Sequence, residues 1–400
     1  MVFVLRRVKK TFIFGSALLV VAVSFWLLRT PGESCFPGGM RRCACESEAT
    51  GTQTCSAQGH WGDCFCEVVS PEVPIHQKTF LSPKYHIDKE YKSMLGPQST
   101  ESIQLKHGDI EELLWVRGFH ASMVAADGAR EASQEFMCHS NLDLDPQKHK
   151  DLFGWQKNAN RRLFTLSQGQ QTITFPEGFG VPLLSSEVLK LNTQVLQLNW
   201  KGEPNDVRHR IGLDYVRGVD LKHSLKPLFM VAANALVLLE GDDGYFNIED
   251  PDAQVHGEGC LVGASATKHG RVWEDPYGKK FSGHWKVPPG KQVNHTNVTA
   301  YLNIPFDTRV HYIAVHLHPF AESLELRDIS ANKSVYTSYV RNSSDKVGLE
   351  HVDFYSSAEG LPIYRDHQYE LISTYNNTST IEHDSMAVMF LYLHDKEYQL

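Results

Sequence analysis

The chain has 400 residues, 42% of them hydrophobic and 22% charged, a balance that belongs to folded globular proteins and excludes wholesale disorder. One hydrophobic core rarely serves that length, so two or three structural units are expected. Its 39 Lys and Arg against 47 Asp and Glu leave a net charge of −8, and without a basic excess no nucleic-acid partner is expected.

In chain order, Arg6, Arg7, Lys9 and Lys10 precede an uncharged and mostly apolar run over residues 11–28. Such a run enters a membrane, and the positive charges ahead of it hold residues 1–10 in the cytoplasm and send the rest across. An uncleaved signal anchor and a long signal peptide both fit. The length of the run, and the lack of a small-x-small cleavage site before Arg29, favour the anchor. The expectation is a membrane-anchored, single-pass protein whose C-terminal body stands outside the cytoplasm, in a periplasm, a lumen or the extracellular space.

Residues 35–66 hold Cys35, Cys43, Cys45, Cys55, Cys64 and Cys66 among glycines and few aliphatic side chains. In an oxidising compartment this reads as a small disulfide module with three bridges in one of fifteen connectivities. Zinc binding by the C-x-C pairs is the weaker reading, since His60 is the only imidazole nearby. A polar linker with Pro71, Pro74 and Pro83 occupies 67–90.

From there the apolar segments are short, β-branched or alternating, and Gly, Pro, Asn and Asp separate them. This predicts an all-β body of two packed antiparallel β-sandwiches, jelly-roll-like, over 91–240 and 241–400. Asp143 and Asp145 lack the glycine and terminal glutamate of a calcium loop and read as a solvated turn.

The chemistry concentrates in the stretch from His311 to His318. Strand alternation puts Tyr312, Ala314, His316 and His318 on one face, and Ile313, Val315 and Leu317 on the other, which is the expected core face. Imidazoles at i and i+2 can converge on one metal ion, but an H-x-H pair by itself is usually incidental and needs a third ligand. The closing strand offers Met386. Methionine in an apolar strand is ordinarily core filler. Beside two imidazoles, however, a thioether selects copper, Cu(I) above all.

Val315-His316-Leu317-His318 is one of several short segments that carry a resemblance, and Tyr375-Asn376-Asn377-Thr378 ahead of Asp384-Ser385-Met386 is another. Upstream stand Val116-Arg117-Gly118-Phe119 and Ala121-Ser122-Met123, then Phe136-Met137-Cys138-His139-Ser140-Asn141-Leu142. Leu196-Gln197-Leu198-Asn199-Trp200 and Gly212-Leu213-Asp214-Tyr215 come between these two groups. In content and order the set resembles the copper type II ascorbate-dependent monooxygenases, the family of the peptidylglycine α-hydroxylating and dopamine β-hydroxylating enzymes. The resemblance covers about three quarters of the chain, from Ile103 onward, as scattered motifs.

The resemblance implies that His316, His318 and Met386 hold the oxygen-activating copper. It also implies hydroxylation of a C–H bond of an unknown substrate, with dioxygen and ascorbate or another one-electron reductant. Two departures bear on the second, electron-transfer copper: Cys138-His139 replaces the family's His-His pair, and Asn199 replaces its third histidine. A site at Cys138, His139 and Asn199 is then reshaped, or holds copper through a thiolate and one imidazole, or is empty. Cys138 has another use, pairing with Cys260, the one other cysteine outside the module. The alternative function is a non-catalytic copper-binding or ligand-binding protein of the same fold, and the plainest reading is a sandwich without metal. His120 and His383 are secondary candidates by position; His284, His311, His351, His367 and His394 read as surface or satisfied core histidines.

Overall fold

A computed structural model describes residues 40–44, 50–64, 73–93, 95–106, 110–153, 160–238, 272–274 and 280–398. The chain divides into two compact units, Met1–Val73 and Pro74–Leu400. The apolar run at 11–28, the divide expected at 240/241, and Cys35, Cys45, Cys66 and Cys260 all lie outside the described residues. Among the described residues no helix is long and apolar enough to cross a membrane.

In the first unit, Met40–Ala44 pairs antiparallel with Thr50–Thr54. A disulfide joins Cys43 to Cys64, and Cys55 is also disulfide-bonded. The Arg41 guanidinium sits 4.5 Å from the centre of the Trp61 ring. A segment too poor in aliphatic residues to build a core is thus held by covalent bonds, as its cysteine pattern suggests.

The second unit is built of packed, mainly antiparallel sheets. A central sheet runs in the order Tyr355–Ile363, Thr308–Leu317, Ala387–His394, Lys226–Asn234, Phe179–Leu184, Leu113–Ala125, Asn205–Arg217, His76–Leu81. Only Phe179–Leu184 and Lys226–Asn234 pair in parallel along this path. A four-stranded sheet (Gln98–Ile103, Leu189–Val195, Met137–Asp143, Arg162–Ser167) and a five-stranded sheet (Gly290–Asn297, Tyr369–Asn377, Ala321–Asp328, Lys333–Asn342, Leu349–Val352) complete the layers.

Two apolar cores result, and the two sandwiches share the central sheet. Strand Lys226–Asn234 pairs with Ala387–His394 from Leu228↔His394 to Asn234↔Val388, which joins the N-terminal half to the C-terminal half by backbone hydrogen bonds. Alternate residues of the shared strands enter different cores. Tyr312, Ala314, Met386, Val388, Phe390 and Tyr392 pack with the N-terminal core, while Ile313, Val315, Leu317, Ala387, Met389 and Leu391 pack with the C-terminal one. The expectation of a single core face on the His311 to His318 strand is therefore corrected: both faces are buried, because the strand has a core on each side. The Tyr392 hydroxyl donates to the Leu163 carbonyl at 2.9 Å, so this buried ring carries its polar tip to a partner in the other half.

The solvated turn expected at Asp143 and Asp145 is not what forms. Asp143 is 1% exposed, paired with Arg162 and lying 3.2 Å from Arg161, which is how a buried carboxylate is tolerated. Asp145 caps the helix Pro146–Phe153: its Oδ1 accepts from the backbone N–H of Gln147 at 3.1 Å and of Lys148 at 3.0 Å. Proline at the first helical position, which needs no N–H partner, completes that start.

Candidate metal centre

His316 lies opposite Val388, and Leu317 opposite Ala387, in the pairing of Thr308–Leu317 with Ala387–His394. Cross-strand partners project to one side of a sheet, so His316 faces the side on which Val388 packs, and Met386 belongs to the same cluster as Val388. His316, His318 and Met386 are buried, at 7%, 6% and 8% exposure. The Met386 side chain belongs to the same apolar cluster as Ala314 and Val388, and the buried Tyr375 hydroxyl fixes its backbone by donating to the Met386 carbonyl at 2.8 Å.

The two imidazole rings lie 5.3 Å apart, centre to centre, at 85°. Rings that bind one ion through nitrogens about 2 Å from it stand roughly 4.5–6 Å apart, so this spacing suits a shared ligand. Both Nδ1 atoms are engaged. His316 Nδ1 is 3.0 Å from Ser167 Oγ, and His318 Nδ1 is 3.3 Å from both the carbonyl oxygen and Oδ2 of Asp384. On each ring the nitrogen left for a metal is Nε2. On His318 that atom lies 3.4 Å from Ser93 Oγ, a hydroxyl able to donate to it. A histidine backed by a carboxylate on its far nitrogen is the usual support of a metal-bound imidazole.

Charge states agree with a ligand role. Burial pushes His316 well below the ordinary histidine range, and His318, His139, His284 and Arg162 push it further, so the ring is neutral as a metal ligand must be. For Asp384, burial alone would raise the carboxyl. The hydrogen bond and charge of His318, with a contribution from His284, outweigh that effect and hold it below the usual carboxylate range.

Among the described residues no group of three His, Cys, Asp or Glu side chains is placed to hold a metal ion. Met386, the third ligand expected from the sequence, packs in the apolar cluster with Ala314 and Val388. A donor set of two imidazoles and a thioether would fit copper better than zinc or calcium.

Beside the pair opens a small cleft that reaches solvent, with about 30 Å³ of enclosed space. His316, His318, Asp384 and Ser93 form one end, and Met137, Leu196, Leu198, Pro319 and Val347 supply apolar lining. Cys138 and the secondary candidate His383 also line it. Cys138 Sγ lies 4.0 Å from Gln194 Oε1. His139 is buried; burial first, then Arg162, His209, His318 and His284, lower its pKa to about 3. It thus lies within electrostatic reach of the histidine pair.

Asn199 has a different occupation. Its Oδ1 accepts from the Val347 N–H at 2.9 Å, and its Nδ2 donates to the Val347 carbonyl at 2.9 Å and lies 3.4 Å from Glu135 Oε2. Both ends of the amide are committed to building the cleft wall. The structure thus brings Cys138 and His139 near the histidine pair and gives Asn199 to the backbone of a distant loop.

Other histidines sort by their partners. His120 pairs with Asp214, 21% exposed, on the strands Leu113–Ala125 and Asn205–Arg217. His383 Nε2 meets Ser379 Oγ at 2.9 Å. His284, expected as a satisfied or surface residue, has its ring centre 6.4 Å from that of His318 and is 7% exposed. No local motif in Gly283-His284-Trp285 marks it. Asp384, Ser93 and Ser167 were equally silent in the sequence, because isolated Ser and Asp residues carry no spacing signal.

No protein-family profile and no curated protein matches the chain. Among solved structures it is similar to Vp54 of PBCV-1 (10% identity over 82% of this chain and 95% of that chain, TM-score 0.29). It is similar also to the major capsid protein P2 of bacteriophage PM2 (9%, 80% and 100%, TM-score 0.28) and to the N-glycanase PNGase F (8%, 79% and 96%, TM-score 0.30). At these scores the likenesses say nothing about the chemistry of the cleft, which rests on its own residues.

Proposed function

We propose that this protein binds copper at His316, His318 and Met386 and acts as a copper-dependent monooxygenase-like protein. The observation that carries the reading is the pair of buried imidazoles, their ring centres 5.3 Å apart and both Nδ1 atoms engaged. Bound there, copper would supply the means to use dioxygen and a one-electron reductant such as ascorbate in hydroxylating a C–H bond. The chain's own part is to hold the ligands. Asp384 keeps a His318 proton on Nδ1, Ser167 orients His316, and the cleft beside them opens the pair to solvent. The body is proposed to stand outside the cytoplasm on an anchor at 11–28.

Asn199 favours a second reading, a non-catalytic copper-binding or ligand-binding protein. With its amide spent on Val347 it is no ligand for a second copper at Cys138, His139 and Asn199, so a built-in electron store is missing from that set. Copper analysis of the full chain in detergent, beside a variant with His316 and His318 both changed to Ala, tests the metal. One copper falling to none supports the site; no copper in the folded wild type overturns it. Oxygen uptake with ascorbate by the loaded protein then separates the two readings.

A further inference from the structure

We infer that the turn 167–170 sets the place of the histidine pair, with Gln170 as the positioning residue that holds the strand under it. The inference rests on the copper reading for what the pair does, while the placement itself belongs to the metal-free protein. Strand Thr308–Leu317 pairs with Tyr355–Ile363 as far as Ile313↔Tyr355, and its last stretch, which carries His316, runs on past that pairing. There the Val315 N–H donates to Gln170 Oε1 at 3.0 Å. Gln170 Nε2 donates to the Tyr312 hydroxyl at 3.2 Å, and that hydroxyl donates to the Thr172 carbonyl at 3.2 Å. Gln170 is 4% exposed, so a buried carboxamide with both ends engaged takes the place of the ladder partner that Tyr355–Ile363 supplies up to Ile313.

Every residue of the turn reaches the C-terminal half. Ser167 Oγ lies 3.0 Å from His316 Nδ1; Gln168 Oε1 accepts from the Leu349 N–H at 3.1 Å; the Gly169 carbonyl accepts from the Val352 N–H at 3.0 Å. Ser167 and Gln170 close the turn, each N–H donating to the other's carbonyl at 3.2 Å, and Gly169 makes the reversal at a φ of 82°, in the left-handed region. The two ends of one turn thus take hold of neighbouring residues, Gln170 of the Val315 backbone and Ser167 of the His316 ring. Ligand sites need their side chains held to within about 0.5 Å, which a strand end paired on one side only does not provide by itself. The 5.3 Å spacing of the His316 and His318 rings is therefore set from the other half of the body.

The test uses the full chain in detergent with a chelator present and no metal. It reads hydrogen exchange at the Val315 amide, relative to the Leu371 amide of the five-stranded sheet, and the side-chain nitrogen resonances of His316, assigned by their loss in His316→Gln. Gln170→Met, which keeps the volume and removes both amide ends, should speed the relative Val315 exchange at least about tenfold. Gln170→Glu keeps an acceptor for the Val315 N–H and should return the rate to within about threefold of the wild type. Ser167→Ala should shift the His316 resonances and leave Val315 exchange alone. Gly169→Val changes no polar group, but a Cβ there meets Val352 Cγ2 at 2.7 Å, so it should push the turn out and move both readings; it carries the test if Gln170→Met fails to fold. Copper affinity, measured afterwards, should fall at least about tenfold in Gln170→Met. Val315 exchange unchanged in a folded Gln170→Met or Gly169→Val, His316 resonances unmoved by Ser167→Ala, or an unchanged copper affinity would overturn the inference. A wild type that binds no copper sinks the copper reading alone, because the metal-free readings stand without it.

Discussion

His318 and Asp384 meet twice: Nδ1 of the imidazole stands 3.3 Å from the Asp384 carbonyl oxygen and 3.3 Å from its Oδ2. Both partners are acceptors, so Nδ1 carries a proton and Nε2 is the nitrogen turned toward Ser93. Asp384→Asn retains the shape and the backbone carbonyl but removes the charge, and loss of such a support typically costs about 10–100-fold in metal affinity. Copper affinity by competition with a chromophoric chelator should fall within that range, with unfolding little changed.

Met386 contributes to packing and, on the reading above, to metal choice. Met386→Leu conserves volume, so its stability cost should be about 1 kcal/mol or less. Removal of this soft donor should weaken Cu(I) more than Cu(II), with the Cu(I) affinity down at least about tenfold. A parallel titration of both oxidation states checks this, and equal losses would argue for a purely packing role.

Buried neutral histidines make the fold acid-sensitive. Burial lowers the His209 pKa to about 3, against 6.5 for an ordinary histidine. Between those limits the unfolded chain binds a proton that the folded one refuses, so stability is full above pH 6.5 and falls as the pH drops toward 3. At pH 5.5 each such histidine costs about 1.4 kcal/mol relative to high pH. His139, lowered likewise to about 3, acts in the same direction. Denaturant midpoints from pH 7.5 to 4.5 should fall steadily, and His209→Gln should flatten the slope by close to one proton.

Asn199→Ala leaves the Val347 N–H and carbonyl without their partner, which should cost about 1–3 kcal/mol. Thermal unfolding measures it. Asn199→His restores the residue type expected by resemblance but not the clamp, so it should lose stability too, and copper stoichiometry should stay at one. A second copper in Asn199→His would show that the residue type alone decides that site.

The class of the fold was legible in the sequence because it rests on local patterns. Period-2 alternation with Gly, Pro and Asn punctuation is enough to write a β-sandwich body, and H-x-H places two imidazoles on one face wherever the strand ends up. The six cysteines announced a disulfide module, and Cys43–Cys64 is one bridge of it. Tertiary structure alone decided the rest. The sheet shared between two cores buries both faces of the histidine strand, which alternation by itself cannot reveal. Ser93 reaches His318 across 225 residues, Ser167 reaches His316 across 149, and Asn199 reaches Val347 across 148. Single polar residues at such separations leave no period or spacing to read. Their roles exist only because strand pairing and the burial of apolar side chains bring them together, and only then does hydrogen bonding out of water make each partner matter.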